Sequence, residues 1–339
     1  MLHLPRVPFT VAAMALALAT AISPEAHGQL AQQPAAVGAS PTAGATSGGP
    51  SAAQWLAMGK TFTFEGHKVF YVDQGGGSVT LAIHGYPTSS WDFRRLLAPL
   101  TREARLVAPD LLGFGYSAKP ADLSYNIAKH ADLVAALTGH LGVTRARLIG
   151  SDVGNAVVQE LMARERAGRL PFSIESVVLI NGTLFAEQFQ PSNAQRALLS
   201  PLGAMVNRGA SEDTLVGGLT QISGPERRIP ASEFADVWRI LNHPADARLM
   251  HKTLPSLEER QTNDARWTEA LCASTTPLKL VVGTADPTAG RAMAEATNAR
   301  CNGARRFVKL QLDKAGHFPH LEYAEETASA ILAWRAGGY

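Results

Sequence analysis

The sequence predicts an α/β fold: a mostly parallel, eight-stranded sheet flanked by helices, with a helical cap inserted late in the strand order. Three observations predict it. Eight apolar runs of strand length recur along the chain, and four are nearly continuous, as strands buried on both faces require. Amphipathic helical stretches separate them, and strand–helix alternation implies parallel pairing with right-handed crossovers. After Gly182 this rhythm stops, and the chain turns helical and proline-punctuated until it resumes at Leu278.

Composition agrees with one large folded body. The chain has 339 residues, 46% hydrophobic and 18% charged, which excludes a disordered polymer. Its 30 glycines follow no triplet period, which excludes a collagen-like chain. The 31 Lys and Arg against 29 Asp and Glu leave a formal charge of +2. So slight a charge, without a clustered basic face, gives no basis for nucleic-acid binding.

The first element is an address. Within residues 1–28, Arg6 precedes an apolar run from Val7 to Ile22, Ser23 and Pro24 break it, and Ala26-His27-Gly28 offers a cleavage site. This reads as a cleaved signal peptide for periplasmic or secreted delivery. An anchor helix is the alternative, but Pro8 and two threonines leave the run short of the ~20 apolar residues a bilayer span needs. Cleavage removes Arg6 and Glu25, one charge of each sign, so the net charge is unchanged. Residues 29–54 are mostly Ala, Gly, Ser, Pro and Gln, without a charge or an aromatic, and are expected to be a flexible leader. The core is expected over 55–182 and 266–339, with the cap over 183–265.

Within the core, TFTFEG (61–66) and KVFYVDQG (68–75) alternate as a half-exposed antiparallel pair would. VTLAIHG (79–85), ARLVAPD (104–110), ARLIGS (146–151) and SVVLING (176–182) read as buried strands, separated by helices over SSWDFRRLLAPL, NIAKHADLVAALTGHLGV and NAVVQELMARERAG. LKLVV (278–282), a helix over 287–300, RFVKLQL (306–312) and a last helix near 322–335 complete the order. The two cysteines, Cys272 and Cys301, each lie just before one of the last two strands. If those strands are parallel neighbours the thiols share one end of the sheet. That allows a disulfide in an exported chain, with two buried free thiols as the alternative. Their separation lacks zinc-ligand spacing.

The chemistry concentrates at strand ends. Gly150-Ser151-Asp152-Val153-Gly154 sits between a strand and a helix in the small-x-nucleophile-x-small pattern of a nucleophile elbow, with Asp152 central. Centring Ser151 instead would put Ile149 and Val153 where glycines are needed, so a carboxylate nucleophile is the better reading. Asp286, in Thr284-Ala285-Asp286-Pro287, follows the seventh strand, and His317 follows the eighth. The chain order of nucleophile, acid and histidine is that of a hydrolase triad, and His84-Gly85-Tyr86-Pro87 stands where an oxyanion-hole amide belongs. His84 and His320 read as structural, Asp110 as a turn cap. Asn181 cannot serve as the acid.

HGYPTSSWDF (84–93), DLLGFGYSAKP (110–120), GSDVGN (150–155), GTADP (283–287) and GHFPHLE (316–322) together resemble the blocks of the α/β-hydrolases that include epoxide hydrolases and haloalkane dehalogenases. INGTLFAEQFQP (180–191) is similar to the mesoderm-specific-transcript-like branch. The resemblance implies the α/β-hydrolase fold and a two-step reaction. Asp152 attacks an electrophilic carbon to form an alkyl-enzyme ester. His317, oriented by Asp286, then activates water. The backbone N–H groups of Tyr86 and Val153 would hold the oxyanion, at roughly 3–4 kcal/mol per donor.

Departures from the relatives limit the substrate class. Dehalogenases of this kind carry an indole after the nucleophile, where this chain has Val153, and Tyr86 replaces a second halide donor. Fluoroacetate dehalogenases carry an arginine after the nucleophile, also absent. Epoxide hydrolases use cap tyrosines, yet the tyrosines here are Tyr71, Tyr86, Tyr116, Tyr125, Tyr323 and Tyr339, none in the cap. The cap offers Trp238, His243 and His251, and Trp238 could line the substrate pocket or pack with Phe234 and Leu241. The reading is an epoxide hydrolase-like enzyme on a small apolar substrate. Carbon–halogen hydrolysis is the alternative, and a non-catalytic binding protein on the same fold is a third. A small-molecule substrate is the expected partner, with no cofactor, no metal and no membrane span in the mature chain. Oligomeric state is left open.

Overall fold

All eight expected strands form and pair in a single sheet. β1 (Lys60–Phe64), β2 (His67–Gly75), β3 (Val79–Ile83), β4 (Arg105–Pro109), β5 (Arg145–Ser151), β6 (Ser173–Ile180), β7 (Leu278–Gly283) and β8 (Phe307–Leu312) lie in the order β1-β2-β4-β3-β5-β6-β7-β8. The computed structural model describes residues 48–244, 247–301 and 307–333. β2 runs antiparallel to β1 and β4, and every other neighbouring pair is parallel. This is the α/β-hydrolase arrangement that the motifs imply.

The helices are α1 (Ala52–Met58), α2 (Arg94–Thr101), α3 (Ile127–His140), α4 (Val153–Arg166), α5 (Asn193–Leu199), α6 (Gly203–Gly209), α7 (Glu212–Ile222), α8 (Ala231–Leu241), α9 (Met250–Thr253), α10 (Glu259–Cys272), α11 (Gly290–Arg300), α12 (Pro319–Glu322) and α13 (Ala324–Ala333). Alternation along the strands explains how they are distributed. Successive strand side chains point to opposite faces. Leu81, Ile83, Leu148, Leu179 and Leu280 enter one core with α3, α4, α10 and α11, whereas Ala82, Ile149, Val178 and Val281 enter a second core with α1, α2 and α13. A sheet covered on both faces has no room for polar alternation, which is why its central strands read as unbroken apolar runs.

One boundary moves, and a second falls within a helix. The leader expected over 29–54 does not stay flexible to its end. Ser51 and Gln54 form a capping box that starts α1 at Ala52, and the buried Trp55 indole N–H donates to Ser90 Oγ at 3.0 Å. The expected signal peptide and the leader up to residue 47 lie outside the described residues. The boundary expected at 265/266 between cap and core falls inside α10, which packs along α4. Trp267 Nε1–H donates to Glu160 Oε2 at 2.8 Å, which ties α10 to the core layer. The last expected helix divides into α12 and α13, and residues 334–335 lie outside the described residues.

Cys272, at the end of α10, and Cys301, just after α11, are joined in a disulfide with their Cα atoms 4.7 Å apart. Among the described residues no helix is long and apolar enough to cross a membrane.

Candidate active site

The parallel strands β3, β4, β5, β6, β7 and β8 all end at one edge of the sheet, and the chemistry-bearing turns follow from those ends. At the end of β5 the chain reverses through Asp152, whose φ of 51° and ψ of −113° lie in a sparsely populated region. Its flanking glycines are required by close approach. A Cβ on Gly150 would sit 2.8 Å from Asn155 Oδ1, and one on Gly154 would sit 2.1 Å from the Ile83 carbonyl oxygen. The turn therefore holds Asp152 up at the sheet edge, where the Tyr86 N–H donates to its Oδ2 at 2.9 Å. Val153 opens α4, so its N–H has no intrahelical acceptor and adds the positive end of the helix dipole beside Asp152.

Opposite stands a second pair. His317 Nδ1 and Asp286 Oδ2 are 2.9 Å apart. The other oxygen of Asp286, Oδ1, accepts from the N–H of Thr288 at 2.8 Å and from its hydroxyl at 2.7 Å. That hydroxyl also lies 3.1 Å from His317 Nδ1. Burial alone would drive the imidazole toward its neutral form. The charge and hydrogen bond of Asp286, with the charges of Asp152 and Glu322, together outweigh burial and hold His317 up at about 9. Asp286 moves the other way: burial would raise it, but the His317 charge and the bonds from His317 and Thr288 hold it below the usual carboxylate range.

A surrounding set of bonds places these groups. Asn181, with φ of 35°, donates from Nδ2 to the Gly316 carbonyl at 2.8 Å, and its Oδ1 accepts from the Gly283 N–H at 2.9 Å. It thereby joins the ends of β6 and β7 to the histidine loop. The buried Glu322 carboxylate collects three backbone N–H groups: Gly316 at 2.6 Å, Gly224 at 3.0 Å and Phe318 at 3.2 Å. The His317 N–H itself donates to the Ile222 carbonyl, at the end of α7, at 2.8 Å. The cap is thus bonded directly to the loop that carries the histidine. On its far side Glu233 of α8 pairs with Arg94 and Arg95 of α2.

Of the residues singled out in the sequence, Asp152, Asp286, His317, Tyr86 and Val153 meet at this edge. His84 is structural: its Nε2 accepts from the Leu111 N–H at 3.0 Å, with Nδ1 2.8 Å from the Gly85 carbonyl. His320 is enclosed by the Phe93 and Phe318 rings, and burial pushes it down to about 3. Asp110 caps turns, accepting from the N–H groups of Ser90 and Tyr116. Trp238 is half-buried beneath the Arg248 guanidinium, 5.1 Å from its ring centroid, and no described contact joins it to the triad. The His243 ring stands edge-on to Tyr116.

Sequence reasoning passed over Thr288, Glu322 and Asp92. Asp286-Pro287-Thr288 is an Asx-turn signature that could have revealed the first. Glu322 binds amides brought together only by tertiary structure. Asp92 is a buried carboxyl bonded by Thr88, raised by burial to about 6 with His317 among the charges acting on it, and nothing local in SSWDF signals that.

A model described as the alpha/beta hydrolase family matches residues 81–330. The Mycobacterium tuberculosis protein LipZ, whose name describes it as a hydrolase, is 33% identical over 289 residues, covering 84% of this chain and 98% of that protein. The human mesoderm-specific transcript homolog protein is 34% identical over 289 residues, covering 80% of this chain and 84% of its own. Among solved structures, epoxide hydrolase CorEH without ligand superposes with a TM-score of 0.67 at 18% identity, over 82% of this chain and 98% of that one, a likeness of fold.

Proposed function

Because the chain belongs to the α/β hydrolase family and is a hydrolase, we propose that it opens small, uncharged epoxides through an ester on Asp152. The observation that carries this reading is a carboxylate, not a hydroxyl, at the apex of the elbow, with its Oδ2 already on the Tyr86 amide. A serine there would need the histidine to remove its proton. A carboxylate is ordinarily ionised at neutral pH and attacks carbon directly.

The second step belongs to His317. While Asp152 is charged it helps hold the imidazole protonated, alongside Asp286. Esterification removes the Asp152 charge and with it one reason for His317 to keep its proton. The imidazolium proton ends, in net, on the oxygen released from the epoxide, and the neutral imidazole then takes a proton from water, whose oxygen attacks the ester carbonyl. The Tyr86 and Val153 N–H groups hold the oxyanion, and Asp286, braced by Thr288, keeps the imidazole in register. Hydrolysis returns the Asp152 carboxylate. The epoxide assignment rests on the HGYP and GHFPHLE blocks. Export is part of the same proposal, supported by the residue 1–28 pattern and by a disulfide suited to an oxidising compartment.

Intact mass spectrometry of His317→Gln incubated with styrene oxide tests the reaction. The expected result is a one-substrate mass gain that maps to the Asp152 peptide. Full activity in Asp152→Ala would overturn the nucleophile, and halide release from bromoalkanes without diol formation would move the substrate class to carbon–halogen bonds.

A further inference from the structure

Opening a three-membered ether by attack at carbon leaves negative charge on the ring oxygen, and that oxygen needs a proton donor. No tyrosine occurs between residues 183 and 265, so the cap supplies no phenol. The core does. Tyr86 is the one tyrosine among the described residues whose hydroxyl is buried with no hydrogen-bond partner. The hydroxyls of Tyr116, Tyr125 and Tyr323 are spent on the carbonyls of Ala52, Pro120 and Asp313, at 3.4, 2.7 and 3.3 Å. An unsatisfied buried hydroxyl is costly, and such groups in a folded protein call for an explanation. Placement suggests one. Tyr86 donates its own backbone N–H to the Asp152 carboxylate, so phenol and nucleophile are joined through a single residue, and the Phe114 ring fixes the Tyr86 ring edge-on at 6.3 Å between centroids.

We propose that the Tyr86 hydroxyl is the proton donor to the oxygen released when Asp152 opens the ring, an inference that rests on the epoxide reading above. The Asp152 Oδ–carbon bond forms as the ring carbon–oxygen bond breaks. The electron pair passes to the ring oxygen, which takes the Tyr86 proton and becomes the hydroxyl of a hydroxyalkyl ester. The Tyr86 phenolate recovers a proton from the His317 imidazolium through water, leaving neutral His317 for the hydrolytic step. Hydrolysis then releases the diol, the proton on His317 and the carboxylate on Asp152, and the cycle closes without a co-reactant. Burial and the Asp152 charge both push the phenol well above its ordinary range, so in the resting protein it is a donor throughout the neutral region.

The test compares His317→Gln with His317→Gln/Tyr86→Phe, following single-turnover ester formation by intact mass with styrene oxide and with phenethyl bromide. Bromide leaves without a proton, so the two rates separate proton donation from general damage to the site. Tyr86→Phe keeps the ring contact and the backbone amide. Loss of the phenol is expected to lower the ratio of epoxide to bromide alkylation rates by about 100-fold, the scale of general acid catalysis. An unchanged ratio overturns the role of Tyr86 alone. Absence of an adduct with both compounds in His317→Gln overturns the ester reading, and this inference with it.

Discussion

Asp152 and Asp286 follow strands of the same sheet and carry the same functional group, yet their surroundings are opposite. Asp152 has a strained backbone, and among the described residues one N–H reaches its carboxylate and Oδ1 accepts nothing. Asp286 is buried, with one oxygen on His317 and the other on both the N–H and the hydroxyl of Thr288. A carboxylate that is to attack must keep a lone pair uncommitted. One that is to orient must have none to spare. The difference assigns the two roles in the proposed mechanism.

The largest break in that comparison comes from the nucleophile. Asp152→Ala is expected to lower kcat by roughly 10⁴-fold or more, on the scale of lost catalytic nucleophiles, with no gain in mass on incubation with substrate. Asp286→Asn should cost up to roughly 10⁴-fold in kcat, because the imidazole loses its charged partner. Here, unlike Asp152→Ala, the ester should still form and accumulate. Loss of turnover with no ester formed would equate the two carboxylates and sink the distinction.

The His317–Asp286 pair also predicts a pH dependence. His317 is raised from an ordinary 6.5 to about 9, so its contribution to stability is fully present below pH 6.5 and is lost as pH rises through 9. The stability advantage of the unmodified chain over His317→Gln should therefore shrink by on the order of 3 kcal/mol across that window, read by denaturant titration at each pH. An advantage that grows with pH would contradict the charged pair. Thr288→Val is the mildest change. It keeps the backbone bond to Asp286 and removes the hydroxyl bond, worth about 1 kcal/mol, or a few-fold in kcat.

The same contrast explains what was legible in the sequence. Strands such as VTLAI and LKLVV announce themselves because burial on both faces leaves no position for a polar side chain. Asp152 is legible because its turn needs glycines at Gly150 and Gly154. Chain order singles out Asp286 and His317, which the structure brings within hydrogen-bond reach of each other. The bonds that fix them are less visible. Glu322 acts on Gly224, 98 residues away in the chain, and no local pattern announces a partner at that distance. The boundary expected between cap and core is blurred for a related reason: it falls inside α10, a polar helix whose packing along α4 no local pattern announces. Trp238 is ambiguous in sequence because one helical spacing serves packing and pocket lining alike.

The Cys272–Cys301 bond has a topological consequence. The two cysteines are 29 residues apart, and the stretch between them contains β7, the Asp286 turn and α11. Oxidation makes this stretch a closed loop, so the segment that carries Asp286 cannot unravel into a long free chain even when its strand pairing opens. For a loop of this size the restricted unfolded ensemble is worth roughly 3–4 kcal/mol. The chain thus carries Asp286 on a covalent staple, while Asp152 rests on a glycine-flanked turn held by hydrogen bonds.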